Sequence, residues 1–465
     1  MLATLDSLTR EAGQLKAAGR MDEALALYRQ AAQRFPSGGV ALHNLAGLLG
    51  DLGQHSEAAQ MAAHALKTGL DAPETWLVLA RADLGRGELD RARRAYREVL
   101  LRRPNALTAH FEAAQLVWMT TGDRVEALRG VEAALCKPGA DPMLCMVKAQ
   151  ALEFMGDAPS ALAALTGWAA EPGCPAQLLA YAAHLSAETG DPAAALVFAE
   201  RGVRAAPEEQ GALEALARAR LAAGDVPGAQ EILEPLFRQF PGNQHVLAML
   251  AVTWRLTGDP RYRALYDYAR FVQARPLSIP KGWGDLQSYV AALAAELKAA
   301  HPFRAHPFGH SLRQGSQLPD VLRRTSPAIA AFTEALAGPL AAYLTHIRQG
   351  EGPLPARNSG RVALAGSWSV WLRPGGYHVD HVHQEGWISS ACYIELPGAV
   401  MAGGRQGWLR FGRPGLALAE ELAAEHWIRP EPGLVALFPS YMWHGTEPFS
   451  GDEPRLTMAF DLVPG

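Results

Sequence analysis

Eight glycines, Gly19, Gly53, Gly87, Gly122, Gly156, Gly190, Gly224 and Gly258, recur at every thirty-fourth position, with one interval longer by a single residue. Five residues after each of the first seven stands an alanine: Ala24, Ala58, Ala92, Ala127, Ala161, Ala195 and Ala229. Another lies seven residues before most of the eight, at Ala12, Ala46, Ala80, Ala149, Ala183, Ala217 and Ala251. Pro36, Pro104, Pro207 and Pro241 stand at the seventeenth position after their glycines. Such a period is one supersecondary unit stacked on copies of itself, since a single unit cannot bury its own apolar face. The spacing predicts paired helices. The glycine lets the chain leave the first helix through a positive-φ turn, the alanines sit where two helices approach too closely for larger side chains, and the proline stops the second helix.

This pattern resembles the tetratricopeptide repeat over about residues 3–276, which implies an all-α solenoid of about eight helix pairs. Stacked pairs would wind into a right-handed superhelix lined on its concave side by the first helix of each pair. The eighth unit departs, with Arg263 where alanine is expected, and reads as a cap against the next domain. A solenoid of this type implies an extended peptide or protein partner; the plainer alternative is that it only scaffolds or dimerises the other half.

A chain of 465 residues is long for one core, so two or more domains are expected. The period ends in a proline- and glycine-containing stretch, Ala274-Arg275-Pro276-Leu277-Ser278-Ile279-Pro280-Lys281-Gly282, beyond which nine of the fifteen histidines fall. The expected division is a solenoid over 1–275, a linker over 276–283 and a second domain over 284–465. Basic and acidic residues nearly balance at 43 and 47, which argues against a nucleic-acid binder held by a basic face. Cys136, Cys145, Cys174 and Cys392 show no CxxC spacing and fit free thiols in a reducing compartment. The N-terminal stretch lacks an apolar core behind a basic start, and no apolar run approaches the length of a bilayer crossing without a charge or a break. Neither a signal peptide nor a membrane span is expected, and a cytoplasmic location is.

In the second half, residues about 284–300 read as an amphipathic helix, and Ser326-Pro327 opens a second helix running to about Gln349. Between them His310-Ser311-Leu312-Arg313-Gln314-Gly315-Ser316-Gln317 reads as too polar for a core strand. From Arg361 onward short β runs appear, divided by Gly and Pro: RVALAGSWSVWLR, WISSACYIELP, GWLRF, GLVALF and RLTMAFDLV. They predict an α+β domain built on a double-stranded β-helix, the jelly roll also used by cupins.

Within it runs Gly375-Gly376-Tyr377-His378-Val379-Asp380-His381-Val382-His383, and far beyond it in the chain stands a lone partner, His444. In extended chain, residues two apart face the same way, so His381 and His383 can aim two imidazoles at one point while Asp380 faces the other side. His444 would complete a three-ligand facial site with open positions for substrates. Arg455 follows His444 by eleven positions, one hairpin later. Its planar fork suits a carboxylate bidentately, and Thr457 shares its face.

Taken together, His381-Val382-His383, Gly386-Trp387-Ile388-Ser389-Ser390, Tyr393, Phe438-Pro439-Ser440, His444 and Arg455-Leu456-Thr457 resemble the Fe(II)/2-oxoglutarate-dependent oxygenases, in particular a bacterial group joined to tetratricopeptide repeats. The resemblance covers roughly 300–465. It implies a dioxygenase that couples oxidative decarboxylation of 2-oxoglutarate to hydroxylation of a C–H bond, using Fe(II), 2-oxoglutarate and O2, with ascorbate as an optional reductant. It further implies His381, His383 and His444 on iron, and Arg455, Thr457 and Tyr393 on the cosubstrate. Trp371, Trp387, Ser390 and Arg313 become candidates for contact with substrate. The departure is at 383, where most of the superfamily carries Asp or Glu. The alternative register, His378-Val379-Asp380, does contain a literal His-x-Asp and is the second choice. Two rivals stand beside this reading: a metal-binding cupin without 2-oxoglutarate chemistry, in which Arg455 and Thr457 have no task, and a non-catalytic interaction protein.

Overall fold

The computed structural model describes residues 4–348 and 351–465, which fall into two compact units, Met1–Ala151 and Leu152–Gly465. The first unit pairs Leu5–Ala17 with Met21–Arg34, Gly39–Asp51 with His55–Lys67, Pro73–Gly85 with Leu89–Arg102, and Leu107–Thr121 with Arg124–Leu135. The second continues the pattern through Ala176–Glu188 with Pro192–Ala205 and Gln210–Ala222 with Val226–Gln239. All eight periodic glycines have φ between 71° and 89°, a region that costs most side chains a steric clash. All fourteen periodic alanines are at most 4% exposed, so each marks a real helix-to-helix contact.

The eighth pair breaks its pattern. Gln244–Thr257 is a full helix, but beyond Gly258 come only Arg261–Leu265 and Tyr268–Phe271, and then a strand. The stretch that the period marks as the solenoid's end is therefore part of a sheet. The strands among the described residues are β1 (Gln273–Pro276), β2 (Leu312–Pro319), β3 (Val362–His378), β4 (Ile388–Glu395), β5 (Leu409–Phe411), β6 (His426–Ile428), β7 (Leu434–Pro439), β8 (His444–Thr446) and β9 (Arg455–Pro464). One sheet has the order β1-β7-β4-β9-β3-β2 and the other β6-β5-β8. β1 lies at an edge, the position in a sheet that tolerates Pro276.

The stretch 310–317 looks too polar for a sheet, yet most of it forms β2. Its buried polar side chains, Ser316 and Gln317, are hydrogen-bonded. Ser316 Oγ lies 3.0 Å from His301 Nδ1, and Gln317 Nε2 donates to His310 Nδ1 at 2.9 Å. A bulge between Arg313 and Gly315 places Gln314 at φ 54° and keeps β2 at the other edge.

Two helical segments brace the larger sheet. Leu286–Ala300 is capped by Asp285, whose carboxylate accepts from Ser288 N at 2.7 Å. The second is broken at Ala331 into Pro327–Ala330 and Phe332–Ile347, and Gln349, its end as read from the sequence, lies outside the described residues. Its first amides, Ala328 N and Ile329 N, donate to Glu296 at 3.0 and 2.9 Å, so the cap comes from the neighbouring helix and not from Ser326. Pro327–Ile347 is long and apolar enough to cross a membrane; here Phe332, Ala335, Leu336, Tyr343 and Ile347 are buried in the core of the second unit.

That core is continuous from the last repeats into the jelly roll, joining Leu233, Leu247 and Trp254 to Phe411, Leu437 and Phe460. The connection between β5 and β6 lies on the face made by the first helices of the pairs. Leu416 and Ala417 share a crevice there with Ala183, His184 and Arg218. Arg255 clips both ends of this connection, donating to Gly412 O at 2.7 Å and Ala423 O at 2.8 Å. Glu425 closes it, accepting from Tyr268 Oη at 3.0 Å and from Tyr262 Oη, with Arg263 3.0 Å away. Hydrogen bonds from a charged donor contribute ~1.5–3 kcal/mol each. Arg255→Ala is expected to lower the stability of the second unit by ~3 kcal/mol, read from urea unfolding, and to open residues 413–424 to limited proteolysis.

Candidate metal centre

β3 ends at His378, and the chain then folds back on β8. His381 and His444 pair reciprocally: His381 N donates to His444 O at 2.9 Å, and His444 N to His381 O at 3.0 Å. His383 N donates to Ser440 O at 3.0 Å, fixing the third imidazole against the same loop. Ring centroids lie 4.2 Å apart for His381 and His444, 5.0 Å for His381 and His383, and 5.1 Å for His383 and His444. One nitrogen from each ring falls within 4.8 Å of the others, and His381 Nε2 is 3.1 Å from His383 Nε2.

The opposite ring nitrogens explain this arrangement. His381 Nδ1 faces Val379 O at 2.9 Å, His444 Nδ1 faces Met442 O at 2.8 Å, and His383 Nδ1 faces Asp461 Oδ2 at 2.5 Å. Each δ nitrogen meets an acceptor and so carries the proton, leaving three Nε2 lone pairs turned toward one point. Burial, then the neighbouring imidazoles, pushes His381 and His444 well below the usual histidine range, which keeps them neutral and able to ligate. The donor set and its convergence fit a divalent first-row metal.

Asp380, the acidic member of the second-choice register, is turned away. Arg410 grips it bidentately at 2.8 Å on each arm, and both side chains are 7% exposed. A Cβ at Gly445 would come within 2.5 Å of Asp380 Oδ1, so glycine is required where this pair passes β8. His378 lines the same cavity as the triad, but its Nδ1 is 2.9 Å from Ser311 Oγ. Burial, then Arg455, pushes its pKa down to about 3.

The cavity, of about 660 Å³, runs from the triad to Arg455 and Thr457, room enough for a small cosubstrate and a substrate group. Arg455 is 2% exposed, and its Nε and Nη1 have no hydrogen-bond partner among the described residues. Burial lowers its pKa, against an opposing contribution from Tyr393, whose ring lies 5.4 Å from the guanidinium carbon. Tyr393 pairs with Thr457 across β4 and β9, and its hydroxyl is also buried without a partner among the described residues. An uncompensated buried cation beside an unused hydroxyl fits an anionic ligand carrying a carboxylate.

The remaining sequence candidates fare differently. Trp371 faces away from the cavity, its ring 5.7 Å edge-on to His301. Trp387 is a core anchor, donating Nε1 to Leu354 O at 3.1 Å. Ser390 borders the cavity, but its hydroxyl is held on both sides by Phe460, donating to the carbonyl and accepting from the amide at 2.8 Å each. Arg313 donates to the carbonyls of His310 and Leu312, pinning the bulge of β2. In their place His310, Gln317, Gln384 and Glu385 line the cavity. The residue missed in the triad's surroundings is Asp461. Its signal was present, since 455, 457, 459 and 461 share one face of β9 and an acidic residue on an inward face is unusual.

Comparison with known proteins agrees with this geometry. Residues 366–461 match the family described as "Putative 2OG-Fe(II) oxygenase", and residues 186–252 match the tetratricopeptide repeat. Solved structures similar to the chain include a tetratricopeptide repeat protein from Parabacteroides merdae (16% identity, 54% of this chain and 98% of that one, TM-score 0.37). Others are YrrB, a TPR protein with an unusual peptide-binding site (16%, 46% and 91%, 0.26), and Naa15/Naa10 bound to HypK-THB (19%, 57% and 42%, 0.28). The chain thus spans under half of that last structure. No curated protein matches the chain. The chain thus carries a segment matching tetratricopeptide repeats, followed by a segment matching a 2OG-Fe(II) oxygenase family.

Outer-sphere changes at metal sites typically cost ~10–100-fold in affinity, and loss of a ligand exceeds that. His381→Ala or His444→Ala is expected to weaken Co(II) binding more than about 100-fold by calorimetry, whereas His378→Ala changes it less than about tenfold.

Proposed function

We propose that the chain is an Fe(II)- and 2-oxoglutarate-dependent hydroxylase acting on a side chain of a peptide or protein. His381, His383 and His444 hold the iron; Arg455, Thr457 and Tyr393 receive the cosubstrate's far carboxylate. When bound, iron and 2-oxoglutarate together supply the O2 chemistry that oxidises an unactivated C–H bond. The protein's share is to hold three neutral imidazoles on one side of the metal, to anchor the dicarboxylate, and to keep the target carbon in a cavity shielded from bulk water. The observation that carries the reading is Arg455, a buried cation with unused donors in the same cavity as a convergent histidine triad. A cupin without 2-oxoglutarate chemistry leaves that cation unexplained.

The peptide or protein target is supported by the repeats. In the second unit the face made by their first helices already holds the chain's own residues 413–424, which favours recruitment by the repeats of the first unit. The last repeats share the jelly roll's core, and the compact unit that holds them begins at Leu152, so a test of recruitment must cut before the helix Leu144–Phe154, in the loop 137–141.

With Fe(II), 2-oxoglutarate and ascorbate, purified protein is expected to release succinate even without its target. Arg455→Ala should raise the KM for 2-oxoglutarate about 100-fold, because breaking a buried charge pair costs ~2–5 kcal/mol. Arg455→Ala protein should also capture cellular proteins that gain one oxygen in mass when wild-type enzyme is restored. Deleting residues 1–137 should abolish that capture; equal oxidation of the target by the truncated enzyme would remove the recruitment role.

A further inference from the structure

Three neutral imidazoles bring no negative charge to a dication, whereas a His-x-Asp pattern would bring one. Of the three, His383 alone is backed by a carboxylate. Asp461 Oδ2 lies 2.5 Å from His383 Nδ1, with side chains 13% and 15% exposed. His381 and His444 are held instead by the backbone carbonyls of Val379 and Met442. Asp461 sits on β9 opposite Gly366 of β3 and Ser389 of β4, so a glycine leaves one side of it open. Ser389 is engaged with Ser440 at 2.9 Å. Asp461 Oδ1 is buried and has no partner among the described residues, so this carboxylate makes one directed contact, and that contact is to a metal-facing imidazole.

We infer that Asp461 is a positioning residue that supplies, through the ring of His383, the negative charge a directly ligating carboxylate would otherwise provide. The hydrogen bond fixes the ring's orientation and its tautomer, and it polarises the imidazole so that Nε2 donates more strongly. His383 and Asp461 act as one extended anionic ligand, with the carboxylate set back from the metal by the width of an imidazole. This inference rests on the triad being a metal centre.

The test compares wild type, Asp461→Asn and Asp461→Ala as full-length proteins, with Co(II) alone as the probe. Asn keeps an acceptor for His383 Nδ1 while removing the charge; Ala removes both. Asp461→Asn is expected to bind Co(II) about tenfold more weakly and Asp461→Ala about 100-fold, the range seen for outer-sphere partners. The visible absorption bands of bound Co(II) should shift in both variants, and far-UV circular dichroism of the metal-free proteins should stay unchanged. A purely packing role for Asp461 would leave the Co(II) spectrum of Asp461→Asn at its wild-type position. Affinity within twofold of wild type together with an unshifted spectrum overturns the inference, and Asp461→Asn decides alone if Asp461→Ala does not fold. Failure of the wild-type protein itself to bind Co(II) overturns the metal centre, a separate result.

Discussion

Two backbone hydrogen bonds between His381 and His444 hold the candidate centre together. They join segments far apart in the chain and set the imidazoles on adjacent positions of one short ladder. A side chain's direction follows from its strand's register, so a one-residue slip would swing His444 out of the cavity. The surroundings guard that register from both sides. Arg410 pins Asp380 on the outer face. Beside His444, Trp443 N donates to Tyr266 Oη, and Trp443 Nε1 to Ala248 O. The last repeat helix therefore touches the residue next to a candidate ligand. Metal geometry and repeat packing meet at Trp443.

The fold was legible where one residue type answers one geometric need. Gly19 and its seven successors could be read because a positive φ at fixed intervals has few solutions, and Ala24 and its equivalents because helix contacts of that closeness exclude other side chains. His381, His383, His444 and Arg455 are brought to one cavity, and their spacing had grouped them. Illegible parts depended on partners far away in the sequence. β2 carries polar residues because His301 and His310 receive Ser316 and Gln317, and no local pattern announces such pairing. β1 was hidden by Pro276, whose presence at a sheet edge depends on knowing where the edge lies. Trp371 and Trp387 misled because bulk and aromaticity suit a wall and a core equally. Asp461 was readable from the two-residue period of β9 but is informative only once His383 is known to need an acceptor.

Charge around the cavity is sparse. One buried cation, Arg455, faces inward without a counterion among the described residues, and the partly buried carboxylate of Asp461 reaches inward only as far as an imidazole. Arg410 and Asp380, by contrast, satisfy each other outside the site. A buried charge persists only when paired or when a ligand completes it; Arg410 and Asp380 are paired, and Arg455 has no such pair among the described residues.

The clip formed by Arg255 on Gly412 and Ala423 bears on how such a chain can diversify. Repeats are usually treated as interchangeable cassettes, gained or lost by duplication without disturbing their neighbours. Here the final ones are stitched to a connection of the jelly roll, so duplication or exchange among them would tear that stitch and disturb the histidine ladder beside it. The final repeats and the jelly roll are thus expected to be inherited as a block, a β domain that keeps its own collar of helices.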